Sequence, residues 1–362
     1  MTPIHRERIP RPQAWKSTDF KSKEDLVVAL GEAQLAALRQ GLARVNAERM
    51  AVKDITKREF DFPALADFLA PILAEIRHGR GAAILRGLPV KGVSEDAVAA
   101  MYWGLGTHLG VGLSQSAVGD VLGNVVDATD NGRKAARGYR SNRELWLHTD
   151  NAELVGLCCV RQAKEGGVSL LANALAIHNE ILAARPDYLV PLYEGFRYHR
   201  RGEEGEGDAP ITPYNVPLFS NCDGEVSCFF LREAMVPALR DLNEQLTPPQ
   251  KAALDYFDEV SLRDDMVLRF TLQPGEVLFF NNYTLLHART EFVNRDEPGE
   301  QRHLMRLWLD VPNGRKVVPQ IHIYENEGGR GGIDRQEGRG RAKEQYLFSA
   351  AEARALQTSR IW

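Results

Sequence analysis

The feature that most constrains this chain is a series of short, β-rich apolar runs separated by turns. The runs are Glu144 to Asp150, Ala152 to Arg161, Gly195 to His199, Glu225 to Phe230, Met266 to Leu272, Val277 to Asn281 and His303 to Val311. Turn pairs such as Asp223-Gly224 and Pro274-Gly275 punctuate them. Many short strands at this spacing point to a β-sandwich or jelly roll. The first third reads differently. Glu32 to Arg49 and Leu65 to Arg77 carry apolar residues at helical spacing, and Ser94 caps a further helix with an apolar face through Val98, Met101 and Leu105. Between these helices Gly81 to Val90 has the form of a buried strand, and farther on Ala174 to Ala184 is helical up to Arg185-Pro186. The reading is a mainly β protein with flanking helices: one catalytic domain over 1-362, with a helical N-terminal part at about 20-110.

A formal net charge of −4 with interspersed signs gives none of the positive field that a nucleic-acid or anionic-membrane binder needs. No apolar run is long enough to span a bilayer and the N-terminus lacks a hydrophobic signal core, so a soluble, cytoplasmic protein is expected. The partner expected is a small molecule, and self-association into a homo-oligomer is compatible with the sequence. The cysteines Cys158, Cys159, Cys222 and Cys228 form no Cys-x-x-Cys pair and read as structural thiols. Gly110 to Arg143 reads as a strand followed by an exposed loop, which suits either a lid or a connection with no role. The Gly/Arg-rich run at 328-341 reads as a flexible surface loop.

His148-Thr149-Asp150 is the most informative motif. On a strand, residues two apart share a face, so an imidazole and a carboxylate can approach one metal from a single rigid element. Two other segments have the same pattern. His5-Arg6-Glu7 lies in a polar terminus, and His178-Asn179-Glu180 lies in the helix over Ala174 to Ala184, where residues two apart diverge. The best third ligand is His287, which follows the apolar run from Val277. Two histidines and one carboxylate leave open coordination positions, which suits non-haem iron(II) binding a chelating cosubstrate and oxygen.

Arg302 and Arg306 are four apart in an otherwise apolar strand and share its face. A guanidinium among large apolar side chains needs an anion. A dicarboxylate cosubstrate would supply one, and internal acids or exposure of the charged heads at the surface are the alternatives. Gly166-Gly167-Val168-Ser169 forms a tight turn that presents the Ser169 hydroxyl as a further donor.

The ordered set His148-x-Asp150, Gly166-Gly167-x-Ser169, His287 and Arg302-x-x-x-Arg306 resembles the taurine dioxygenase and 2,4-dichlorophenoxyacetate dioxygenase superfamily, most clearly from Gly81 through Pro312. The resemblance implies a double-stranded β-helix (a cupin-like jelly roll) with iron(II) on His148, Asp150 and His287. It implies 2-oxoglutarate and O2 as cosubstrates, with Arg306 and Ser169 on the distal carboxylate and Arg302 near the chelating one. The implied reaction hydroxylates an unactivated C–H bond and releases succinate and CO2. Desaturation or cyclisation by the same chemistry, or a zinc- or manganese-dependent β-barrel enzyme, are the alternatives. Candidate substrate contacts are Gln115, Asn124, Arg137, Arg140 and Arg232, whose arginines favour a small carboxylate- or amino-acid-like substrate.

Overall fold

The computed structural model of the protein describes residues 3–127, 140–297, 299–324 and 331–336. Its strands are β1 (Val27–Ala29), β2 (Ala82–Arg86), β3 (Val111–Gly112), β4 (Leu122–Val125), β5 (Leu145–His148), β6 (Leu154–Arg161), β7 (Glu165–Gly166), β8 (Ser169–Asn173), β9 (Phe219–Cys222), β10 (Glu225–Cys228), β11 (Val267–Phe270), β12 (Glu276–Asn281), β13 (Leu285–Arg289), β14 (Phe292–Val293) and β15 (His303–Asp310). The helices are α1 (Glu32–Glu48), α2 (Pro63–His78), α3 (Glu95–Gly106), α4 (Ala174–Ala184), α5 (Leu189–Glu194), α6 (Arg232–Leu242) and α7 (Pro248–Leu262).

Two sheets form the centre. The larger runs β1-β2-β12-β6-β15-β3, with β4 also on β15, and the smaller runs β11-β8-β13-β5. Both are apolar on two faces, because each is covered twice. One residue set of the larger sheet (Leu85, Leu154, Val277, Phe279, Leu307) packs against α1 to α3. The alternate set (Ile84, Val155, Leu278, Leu304, Trp308) meets Leu171, Leu268 and Leu285 of the smaller sheet. The back of that sheet, through Ala172 and Leu286, packs on α4 to α7. The side-chain period of two thus gives four layers. It also sends the even-numbered residues of β15 inward with Leu304 and Trp308, and the odd-numbered residues of β13 inward with Leu285. Arg306 and His287 therefore face one another across the sandwich.

The sheet-rich core and its helical flank agree with the sequence reading, with three differences. Gly195 to His199 supplies only isolated bridges, Phe196 to Val216 and His199 to Ile211. Helices α5 to α7 were not expected. Residues 331–336 are packed in place rather than forming a loose surface loop: Ile333 is 2% exposed, its N–H donates to Ser114 O, and it forms a parallel bridge with Gln115. The rest of the 328–341 run lies outside the described residues. No helix among the described residues is long and apolar enough to cross a membrane.

Phe60 anchors the N-terminal helices. A Cβ at Gly41 of α1 would lie 2.4 Å from its ring and one at Gly104 of α3 2.6 Å, so glycine at both positions admits the fully buried ring. We expect Phe60→Ala to lower unfolding stability by about 3–5 kcal/mol in urea denaturation. A loss under about 1 kcal/mol would show that the helical layer does not depend on this contact.

Candidate active site

His148 ends β5, and its Cα partner across the ladder is His287 of β13. The register slips between His287 and Arg289, a bulge that re-aims the end of β5. The strand stops at His148, so the strand period that sequence reading invoked does not place Asp150. Asn282 does. It accepts the Asp150 N–H at 2.8 Å and donates to the carbonyls of Asp150 and Ala152, each at 2.7 Å. Asp150 is thereby turned inward beside the histidines.

The three side chains meet. His148 Nε2 is 4.0 Å from Asp150 Oδ1 and His287 Nε2 is 3.6 Å from Asp150 Oδ2. One ligand atom from each lies within 4.8 Å of the others. His148 Nδ1 sits 2.7 Å from Trp146 O, which places its proton there and leaves the Nε2 lone pair facing the carboxylate. Burial, together with the neighbouring His148, pushes His287 down to about 3, so it is neutral at pH 7. Burial opposes ionisation of Asp150, but Arg306, the two histidines and the Trp308 indole outweigh it and hold the carboxyl below its usual range. Two imidazoles and one carboxylate converging on one point are a donor set that fits a divalent transition metal.

Arg306 belongs to this centre. Its Nη1 is 3.1 Å from both Asp150 oxygens and its Nε donates to Gln115 Oε1 at 2.8 Å. Trp308 Nε1–H adds a bond of 2.9 Å to Asp150 Oδ2. Arg302, the residue immediately before β15, is 2% exposed. Its Nε and Nη1 have no acceptor among the described residues, and its guanidinium lies 4.9 Å from the Phe292 ring centre. Burial pushes it down to about 10. A Cβ at Gly167 would come within 2.9 Å of Arg302 Nε, so the glycine turn, with φ of +72° and +66° at Gly166 and Gly167, leaves the guanidinium room. Arg306 is committed to the metal-binding carboxylate, and Arg302 is the one with donors to offer.

Two cavities flank the triad. One, inside the sandwich, is lined by His287, Ser169, Arg302 and apolar side chains including Leu157 and Leu278. The other opens past Asp150 and Asn151 and is lined by Arg201, Arg232, Glu233, Tyr324 and Ile333. His148 and Arg306 line both. Among the expected substrate contacts only Arg232 lines a cavity, and Asp258 pairs with it. Gln115 instead braces Arg306, accepting from its Nε and donating to its carbonyl at 3.0 Å. Asn124 sits on the exposed face of β4, with Oδ1 2.9 Å from His303 Nε2. Arg140 lines neither cavity, and Arg137 lies outside the described residues. Sequence reasoning missed Trp308, Arg289, Arg201 and Glu233. Trp308 and Arg289 each stand two residues beyond a named site residue, so the strand period already placed them on the same face.

Trp308→Phe keeps an aromatic side chain, though a smaller one, and removes one hydrogen bond to Asp150. Fe(II) affinity in anaerobic titration is expected to fall roughly tenfold or more, as for other outer partners of metal ligands. Unchanged affinity would mean that Arg306 alone holds the carboxylate.

Residues 46–308, which contain every residue of the triad and both arginines, match the model of the taurine catabolism dioxygenase TauD, TfdA family. The FR-33289 synthase of Streptomyces rubellomurinus is 28% identical over 332 residues, covering 90% of this chain and 96% of that protein. A taurine hydroxylase-like protein of Stachybotrys chartarum is 28% identical, covering 81% of this chain and 77% of its own. The fold is similar to that of asparagine oxygenase crystallised with Fe(II), 2S,3S-3-hydroxyasparagine and succinate, with TM-score 0.61, 18% identity, and coverage of 86% of this chain and 100% of that one. It is also similar to that of the non-heme iron oxygenase OrfP with Fe and alpha-ketoglutaric acid, with TM-score 0.58, 15% identity, and coverage of 78% and 93%. Matched by its family model across the whole metal-site region, this chain belongs to the taurine catabolism dioxygenase TauD, TfdA family.

Proposed function

We propose that His148, Asp150 and His287 bind iron(II), that Arg302 and Ser169 receive the distal carboxylate of 2-oxoglutarate, and that the cavity beyond Asp150 holds a small carboxylate- or amino-acid-like substrate. Family membership makes the chain an iron- and 2-oxoglutarate-dependent dioxygenase. The observation that carries the residue assignment is the triad's position in the wall between two cavities, one of which contains an arginine with unpartnered donors. In this reading the sandwich is the double-stranded β-helix that the sequence resemblance implies.

Iron, when bound, supplies oxygen activation coupled to decarboxylation of 2-oxoglutarate. This chain's residues supply the setting. Arg306, in contact with both Asp150 oxygens, and Trp308, which donates to Oδ2, keep the carboxylate ionised and hold it beside the histidines. Leu157, Leu171, Leu278 and Leu304 line the inner cavity and exclude water from it. Arg302 and Ser169 orient the diacid, whose opposite end then lies toward His287. A zinc- or manganese-dependent enzyme of the same shape would leave Arg302 buried with no anion, so this geometry favours the oxygenase over that alternative.

In the outer cavity Arg201 pairs with Glu233 at 3.5 Å, and Arg232 immediately precedes Glu233. Cationic and anionic groups side by side suit a zwitterion, with its acid on a guanidinium and its amine on Glu233. Asparagine oxygenase has been crystallised with hydroxyasparagine and OrfP with (3S)-hydroxy-L-Arg, both amino acids. Hydroxylation of a C–H bond in such a molecule is the outcome this pocket supports.

The test is oxygen-dependent succinate release in the presence of candidate amino acids, with product mass followed. Asp150→Ala is expected to abolish turnover in a folded protein, and retained turnover would remove Asp150 from the ligand set. Arg302→Ala is expected to raise the 2-oxoglutarate requirement by about 1.5–3 kcal/mol, or roughly 10- to 100-fold, with Arg306→Ala acting mainly on metal affinity. The opposite pattern would restore Arg306 as the distal clamp.

A further inference from the structure

We propose that Arg289 is a second cosubstrate-binding residue, so that two guanidiniums, Arg289 and Arg302, grip the distal carboxylate of 2-oxoglutarate. The proposal rests on the oxygenase reading above and adds a residue to it. Arg289 lies two positions beyond His287 on β13, paired in register with Ser169 of β8. It therefore enters the inner cavity from the smaller sheet, whereas Arg302 enters from the larger one.

Both arginines are buried, at 5% and 2% exposure. Both guanidiniums lie over the same Phe292 ring, at 4.7 and 4.9 Å from its centre. Arg289 donates from Nε to Thr290 O at 3.2 Å and from Nη2 to the carbonyls of Ser141 and Arg143. These bonds hold the head group in place and leave Nη1 with no acceptor among the described residues. Together with Nε and Nη1 of Arg302, three buried guanidinium nitrogens lack acceptors at one end of one cavity. Two like charges taken out of water beside each other are costly unless an anion joins them. A carboxylate that accepts from both guanidiniums supplies the anion that joins the two charges. A role for Arg289 confined to holding Ser141 and Arg143 would explain Nε and Nη2 and leave both Nη1 and the proximity to Arg302 unexplained.

The distinguishing experiment compares two 2-oxoacids that share the chelating end. 2-Oxoglutarate carries the distal carboxylate and 2-oxobutanoate does not. Anaerobic binding of each to the Fe(II)-loaded protein is followed by the charge-transfer absorption that chelation produces. Arg289→Gln and Arg302→Gln are each expected to weaken 2-oxoglutarate roughly 10- to 100-fold while changing 2-oxobutanoate less than about threefold. Arg289→Lys, which keeps the charge, is expected to recover part of the loss and carries the same comparison if Arg289→Gln does not fold. Wild-type affinity for 2-oxoglutarate in the Arg289 variants would overturn the proposal, as would an equal loss for both acids, the signature of a structural role. If the wild-type protein shows no 2-oxoglutarate-dependent absorption, the oxygenase reading fails along with it.

Discussion

A carboxylate buried between two apolar sheets is the constraint on which the rest of this structure depends. Asp150 is 8% exposed, and taking its charge out of water is tolerated only because Arg306 and Trp308 reach it from the opposite sheet. The contact is local in space and remote in sequence. It requires β15 to present its even-numbered side chains inward, and β5 to end where Asn282 can turn the following residues toward them. Sandwich register, strand ending and metal-site geometry are therefore one solution to one electrostatic problem. Gln115 extends it by one shell, since bracing Arg306 also braces what Arg306 holds.

Much of this was legible in the sequence. The run Leu304-Met305-Arg306-Leu307-Trp308-Leu309 shows a strand covered on both faces with a guanidinium among large apolar side chains, and composition alone says that such a group has a partner. His148 and Asp150 were legible because His178-Asn179-Glu180, their main competitor, falls on a helix, and α4 spans the residues expected of it. His178 is a buried neutral residue beside the Tyr193 hydroxyl. What the sequence could not give was which arginine meets the Asp150 carboxylate. That depends on the pairing of the two sheets, set by long-range registers such as Arg306 with Leu157 and His287 with His148. The two arginines differ by whole strand periods and are equivalent until their surroundings are known.

Other misses had visible signals. Thr247-Pro248-Pro249-Gln250 is a capping box with proline at the first helical position, and it starts α7 as such a sequence should. In α6, Pro237 in the interior spoils the helical pattern. In the Gly/Arg-rich run, composition did not show that residues 331–333 are buried. Two of its glycines adopt positive φ, and a Cβ at Gly331 would meet Asn151 O at 2.7 Å. There the glycines allow close packing rather than looseness.

That packing carries a consequence for how the enzyme is completed. Asn151, the neighbour of Asp150, exchanges hydrogen bonds with Gly332, and Ile333 closes the wall of the outer cavity. The side chains that meet around Asp150 lie between Gln115 and Trp308, whereas the outer cavity also takes Ile333, beyond the end of β15. One wall of the outer cavity thus comes from a segment remote in sequence from the side chains that meet at Asp150.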